Sequence, residues 1–382
     1  MMIKMLGYVL AALYGLLVIP VEAHAQRSAE ARAAAAVCDK QVVVLGELPS
    51  HGEARGFQAK AEIVTRLVRQ CGFDAVLFEA PVYDFIGFQE AVAERRARPA
   101  QLDRAIGGFW VTRELADWRR WLFHEAAAGR LVLGGLDDQV SATSDYARAT
   151  LPGLVAASLP AESASACEQA VTRNLFWRYG AGQEFDEAEQ ARLQRCARLA
   201  SDALAARPGS APEERVMAEN LASYFDRQRG TPGARDRDRD EAMYRNLVWQ
   251  RARMPRGSKL IVWTATVHAA RRRGVLKDKP LGAWLAEELG SRVAVIGFSA
   301  FGGQSSMAGT PPKPLPAAPP GSLEARATAN AGTAWTYLGP SALRAIGTAP
   351  SRLLGAFTSA DWSRYFDAVL VIREEVAPVS ER

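Results

Sequence analysis

Gln41-Val42-Val43-Val44-Leu45-Gly46-Glu47-Leu48-Pro49-Ser50-His51-Gly52 is the stretch that decides the fold. A short β-branched run that stops at a glycine is the pattern of a strand buried on both faces of a parallel sheet. The polar loop behind it holds a carboxylate and an imidazole four residues apart. Working outward, Gln58 to Gln70 carries Ala61, Val64, Leu67 and Val68 at helical spacing. Phe73-Asp74-Ala75-Val76-Leu77-Phe78 is the next strand and ends at Glu79. A helical stretch runs on through Arg98, and Arg113 to Ala127 is an amphipathic helix with Trp118, Trp121 and Leu122. Leu131-Val132-Leu133-Gly134-Gly135 is a third strand, ending at Asp137-Asp138-Gln139.

This alternation predicts an α/β fold with a mostly parallel central sheet flanked by helices. Tyr146 to about residue 232 is strand-poor and rich in Ala, Arg and Glu, which reads as a helical insertion. The resulting division is a leader at 1–25, a first core part at 26–145, the insertion at 146–235 and a second core part at 236–382. A charged linker at Gly230–Asp240 leads back to the core, and a helix from Asp240 to Arg253 and the strand Lys259-Leu260-Ile261-Val262-Trp263-Thr264 come next. The helix Leu281–Leu289 and the strands Val293–Gly297 and Phe366–Ile372 follow, and Gly302–Gly321, rich in Gly, Pro and Ser, is expected to be a mobile loop.

Composition narrows the function classes. Lys4, the apolar run Met5–Val21 and Ala23-His24-Ala25 before Gln26 have the form of a signal peptide cleaved after Ala25, which implies a periplasmic or secreted protein. The alternative is an uncleaved N-terminal anchor. No later segment is apolar over the roughly 20 residues that a spanning helix needs, so no stable membrane span is expected after cleavage. The net charge of +5 comes from arginines mixed with acids, without a basic stripe interleaved with aromatics, and gives no case for nucleic acid. The expected partner is a small-molecule substrate. Cys38–Cys71 and Cys167–Cys196 fit neighbouring elements, but four cysteines allow three pairings and free thiols are an equal alternative.

Ligand sites in open parallel sheets lie beyond the C-terminal strand ends. Three strands end in chemically capable residues: Glu47 with His51, Glu79, and His268 after Thr264. Past the leader the chain has only three histidines, and two of them follow strand ends; the third, His124, sits in a helix and reads as structural. A neutral imidazole can take a proton from water, and a carboxylate can orient it. Glu79 could be that orienting group or a second base, and His268 could donate to the oxyanion formed on an attacked carbonyl. If Glu47 and Glu79 face each other, repulsion should raise one of their pKa values. No Gly-x-Ser-x-Gly elbow is present, and Ser50 adjoins His51, which is poor geometry for a covalent serine mechanism. Two histidines and two glutamates are also a feasible ligand set for zinc or iron, although no HExxH or HxH pair occurs.

Leu45-Gly46-Glu47 with His51-Gly52, Gly72–Ala80, Phe109-Trp110-Val111-Thr112-Arg113-Glu114 with Trp118 and Trp121, Gly135–Gln139, Arg239-Asp240-Glu241-Ala242-Met243 with Asn246, and Val262–His268 resemble, in that order, the motifs of the erythromycin esterase-like family. The likeness runs from about Val42 to Phe301. It implies a sheet flanked by helices with a large cleft, and metal-independent ester hydrolysis with His51 as the water-activating base and Glu47, Glu79 and His268 in support. No cofactor is expected on this reading. Two pairs of residues depart from the family pattern. Ala265 and Thr266 stand where it has histidine and asparagine, and Arg55 and Gly56 where it has Glu-Phe. The wider relatives include a haem-binding protein, so the alternative is a periplasmic ligand-binding protein of haem or metal type, or a catalytically reduced relative, using the same cleft.

Overall fold

The computed structural model describes residues 28–228, 239–307, 310–329 and 334–381. The leader expected at 1–25, its cleavage point and most of the linker at 230–240 lie outside the described residues. Ten strands are described: β1 (Val42–Glu47), β2 (Ala75–Pro81), β3 (Val132–Asp137), β4 (Leu260–Ala265), β5 (Val293–Ser305), β6 (Lys313–Leu315), β7 (Trp335–Leu338), β8 (Thr348–Ser351), β9 (Thr358–Asp361) and β10 (Ala368–Glu375). The main sheet runs in the order β3-β2-β4-β1-β5-β10-β7. Every neighbour pair along it is parallel except β10 with β7. This is the α/β sheet the strand–helix alternation predicts.

Strand residues alternate between two cores, as the two-residue period requires. Val43, Leu45, Phe78, Ile261 and Trp263 face the helices Ala54–Cys71 and Ala116–Ala127. Val42, Val44, Leu77, Leu260 and Val262 face Arg239–Ala252 and Leu281–Leu289. The stretch read as an insertion carries Asp145–Ser158, Ala161–Leu175, Glu187–Ala206 and Pro212–Gln228, which enclose a third core with Val82, Tyr83 and Ile86. Disulfides join Cys38 to Cys71 and Cys167 to Cys196. Among the described residues no helix is long and apolar enough to cross a membrane.

The expectation for Gly302–Gly321 needs correction. Its first residues continue β5 to Ser305, and Lys313–Leu315 pair back antiparallel on Gly303–Ser305. A Gly/Pro-rich composition hid a strand because the pairing partner is itself part of the same stretch. β7 and the β8–β9 hairpin also went unread; they are four residues each and lack a distinctive period.

One glycine positions the site. β1 and β4 pair in register, Glu47 opposite Ala265, and the chain then turns at once into the short helix Thr266–Ala269. That helix crosses the end of β1 at Gly46, where an added Cβ would lie 2.7 Å from Ala269 Cβ and 2.8 Å from Thr266 Cα. Neither atom is the end of a flexible side chain, so the helix carrying His268 would have to move. Gly46→Ala is expected to cost about 1–3 kcal/mol, the usual range for overpacking. Urea denaturation checks this; an unchanged midpoint would contradict the close approach.

Candidate functional site

β1, β4 and β2 lie side by side, so their C-terminal ends bring Glu47, His51, Glu79 and His268 into one cluster. Glu47 is its buried centre. Its carboxylate accepts from Trp110 Nε1 at 2.8 Å and lies 2.9 Å from His51 Nδ1, and its other oxygen is bound by Lys60 Nζ. Lys60 has no solvent exposure. It also donates to the Thr264 carbonyl at 3.2 Å and sits 4.2 Å from the centre of the Trp263 ring. Burial pushes the Lys60 ammonium well below its usual pKa. The carboxylate, the carbonyl and the ring face are what this ammonium has in place of water.

His51 has φ +47°, an uncommon backbone state for a residue with a side chain and one retained where surrounding structure enforces it. The turn is closed by its amide donating to the Leu48 carbonyl at 3.0 Å. The ring stacks on Phe109, centroids 4.9 Å apart, and meets Trp110 edge-on. Nδ1 faces Glu47, and Nε2 points toward Glu79 Oε1 4.0 Å away. Burial lowers the His51 pKa, with Arg239 and His268 adding to the effect and Glu79 and Glu53 opposing it. The neutral imidazole is therefore the form present at neutral pH, with Nδ1–H on Glu47 and a free lone pair on Nε2.

Glu79 is held from three sides. Thr264 Oγ1 and the Ala265 amide donate to one oxygen at 2.7 and 2.8 Å, and Arg239 donates to the other at 2.9 Å. Burial alone would raise its pKa, but His268, Arg239 and His51 outweigh that and hold it well below the usual carboxylate range. The repulsion expected between Glu47 and Glu79 thus does not set the Glu79 pKa, because a cation pair faces it. The Ala265 amide uses the backbone of a position where the family pattern has a histidine.

His268 does not line the cavity and has no free ring nitrogen. Nδ1 lies 2.9 Å from Asp240 Oδ1, and Nε2 lies 2.9 Å from Arg239 and 3.3 Å from Glu79. Only a neutral ring could accept from Arg239; only an imidazolium could donate to Glu79. Two carboxylates decide it, since the guanidinium is itself matched by Asp137 at 2.6 Å. Against the effect of burial, Asp240 and Glu79 push the His268 pKa up to about 10.

A cavity of about 310 Å³ opens on His51, Glu79, Asp137 and Arg239, walled by Ala80, Pro81, Ile106, Phe109 and Trp110. Lys60, Asp137, Arg239 and Asp240 belong to this cluster, and the sequence reading gave them no role. Lys60 left one signal: it lies on the apolar stripe of its helix, three residues after Phe57 and four before Val64. Nearby, Glu53 accepts from Ser50, from Ser305 at 2.8 Å and from the Gly52 amide at 2.9 Å, and burial raises its pKa. The amides of Arg55 and Gly56, where the family pattern has Glu-Phe, donate to Glu375 of β10 at 2.6 and 3.2 Å. His124 is exposed on its helix. Among the described residues no group of three or more His, Cys, Asp or Glu is placed to hold a metal ion; Lys60 and Arg239 occupy the inner faces of the carboxylates.

The His268 ion pairs make a pH prediction. Their folded-state pKa of about 10 lies above the ordinary value near 6.5, so their stabilisation is complete below about pH 6.5 and is withdrawn as pH climbs through about 10. The stability gap between wild type and His268→Gln should be widest near pH 6 and shrink toward pH 10. Urea midpoints across that range check it; a constant gap would contradict an imidazolium.

No curated protein sequence matches the chain. Among solved structures, a Bacillus cereus protein is 18% identical with a TM-score of 0.70, covering 94% of each chain. A succinoglycan biosynthesis protein is 14% identical with a TM-score of 0.70, covering 92% of each. A histidine-to-asparagine mutant of the erythromycin esterase EreC in its open conformation is 17% identical with a TM-score of 0.62, covering 89% of this chain and 92% of its own. These likenesses establish the fold. The erythromycin esterase family model matches residues 68–375, a span that takes in Glu79, Asp137, Arg239 and His268 and begins after the Glu47–His51 loop. The chain belongs to the erythromycin esterase family.

Proposed function

We propose that this protein is an exported hydrolase in which His51 activates water for attack on an ester or related carbonyl. The observation that carries the reading is the state of His51: a neutral ring, fixed through Nδ1 on buried Glu47, with Nε2 directed into the cavity. The 4.0 Å gap between Nε2 and Glu79 Oε1 lets one water donate to both, leaving its lone pairs toward the cavity. His51 takes one proton as the oxygen attacks the carbonyl carbon. The resulting imidazolium is stabilised by Glu47, and the same Nε2–H then protonates the leaving alcohol. Arg239, held by Glu79 and Asp137, is the cation lining the cavity and is the group placed to face the oxyanion; His268 acts by holding Glu79 rather than by donating to the oxyanion. The apolar N-terminal run and two disulfides support export to an oxidising compartment.

A second reading, ligand binding without turnover, is favoured by one observation: Ala265 offers only its backbone amide where the family pattern has a histidine. Metal and haem analysis of the purified protein, followed by an ester panel on the same sample, separates the two. On the hydrolase reading His51→Ala loses roughly a hundredfold or more in kcat/KM while remaining folded. Because burial lowers the His51 pKa and the neutral ring is the base, kcat/KM of the wild type should rise with pH through an apparent pKa below about 6.5 and be level by neutrality. Bound haem or metal with no turnover, or full activity in His51→Ala, would overturn the hydrolase reading.

A further inference from the structure

The cavity on His51 has a built end wall. Residues 138–144 join β3 to the helix Asp145–Ser158, and the last four of them, 141–144, are knotted by their own hydroxyls. Ser141 N donates to Ser144 Oγ at 3.0 Å, and Thr143 N donates to Ser141 Oγ at 3.2 Å. Ser141 Oγ lies 3.0 Å from Thr143 Oγ1 and 3.1 Å from Ser144 Oγ. Arg148 ties the knot down from the following helix, donating to the Ala142 carbonyl at 2.7 Å. Such a segment is fixed by local bonds rather than left free to fold aside.

Ala142 and Thr143 of this knot border two hollows at once. On one side is the 310 Å³ cavity of His51. On the other is a separate hollow of about 390 Å³, with Asp103, Arg104, Asp145 and Glu381 on its surface. The segment therefore stands between the two hollows. The cavity that remains lies at the small end of the roughly 300–1,000 Å³ range of ligand sites. Its charged residues are two carboxylates, Glu79 and Asp137, against one guanidinium, Arg239, so it holds no unmatched cation for an anionic ligand.

We propose that the Ser141–Ser144 knot is the size filter of the site and that the substrate is a compact, uncharged ester lodged wholly on the His51 side of it. This rests on the hydrolase reading for the word ester, while the filter itself rests on the wall. Burying added methylenes normally favours longer acyl chains. A wall reverses that preference once the cavity is full, since overfilling a packed space is unfavourable.

The test compares p-nitrophenyl butanoate with p-nitrophenyl decanoate, using His51→Ala as background, and follows binding of the corresponding p-nitroanilides by quenching of tryptophan fluorescence. Wild type should prefer the butanoate by about tenfold or more in kcat/KM, the scale on which pockets discriminate by size. Thr143→Gly, which removes the side chain of a residue lining both hollows, should raise the decanoate-to-butanoate ratio by about tenfold. Thr143→Val keeps the bulk and leaves the bonds of Ser141 to Ser144 and to the Thr143 amide, so it should keep the wild-type ratio. Equal use of both esters by wild type, or a ratio unmoved in Thr143→Gly, would overturn the filter. If neither ester is turned over above background but the short anilide binds selectively, the filter stands for a compact ligand and the hydrolase reading falls. If binding is also indifferent to length, both fall.

Discussion

A single buried carboxylate organises this protein. Glu47 ends the central strand of the sheet and gathers Lys60, Trp110 and His51 from a helix, a loop and a turn. Removing such a charge from water is costly, and the cost is offset only when every partner is in place. Each partner is fixed in consequence. Lys60 ties the helix Ala54–Cys71 to the strand end, Trp110 orders the segment that also carries Phe109, and His51 is held in a backbone conformation its residue type seldom adopts.

Charge is layered outward from that centre. Lys60 matches Glu47; Arg239 and His268 match Glu79; Asp137 and Asp240 match Arg239 and His268. The two histidines end in opposite states although both are buried. At His51 burial outweighs the pull of Glu79 and Glu53, with His268 and Arg239 adding to it, so the ring stays neutral. His268 lies between two carboxylates and stays protonated. One fold thus supplies a base and a fixed cation from the same residue type, by the placement of acids around each.

The strand ends were legible because buried parallel strands are dense apolar runs and the first polar residue after each one stands out. Glu47, His51, Glu79 and His268 could be picked out on that basis, and register alone makes them neighbours once β2, β4 and β1 are adjacent. The charges that set their protonation were not legible in the same way. Lys60 hides in a helix that reads well without it, and Arg239 arrives from the start of a helix behind a charged linker. Asp137 ends a strand as visibly as Glu79, but nothing in its own segment says that Arg239 will meet it 102 residues later. The expected role of His268 as an oxyanion donor differed from its geometry for the same reason: Asp240, a neighbour only in space, takes its other nitrogen.

The account turns on the protonation of His51, and nitrogen NMR of the imidazole-labelled protein at neutral pH reads it directly. The predicted result is a neutral ring for His51, protonated at Nδ1 and bare at Nε2, beside a fully protonated His268. An imidazolium at His51, or a proton on Nε2 instead of Nδ1, would contradict it.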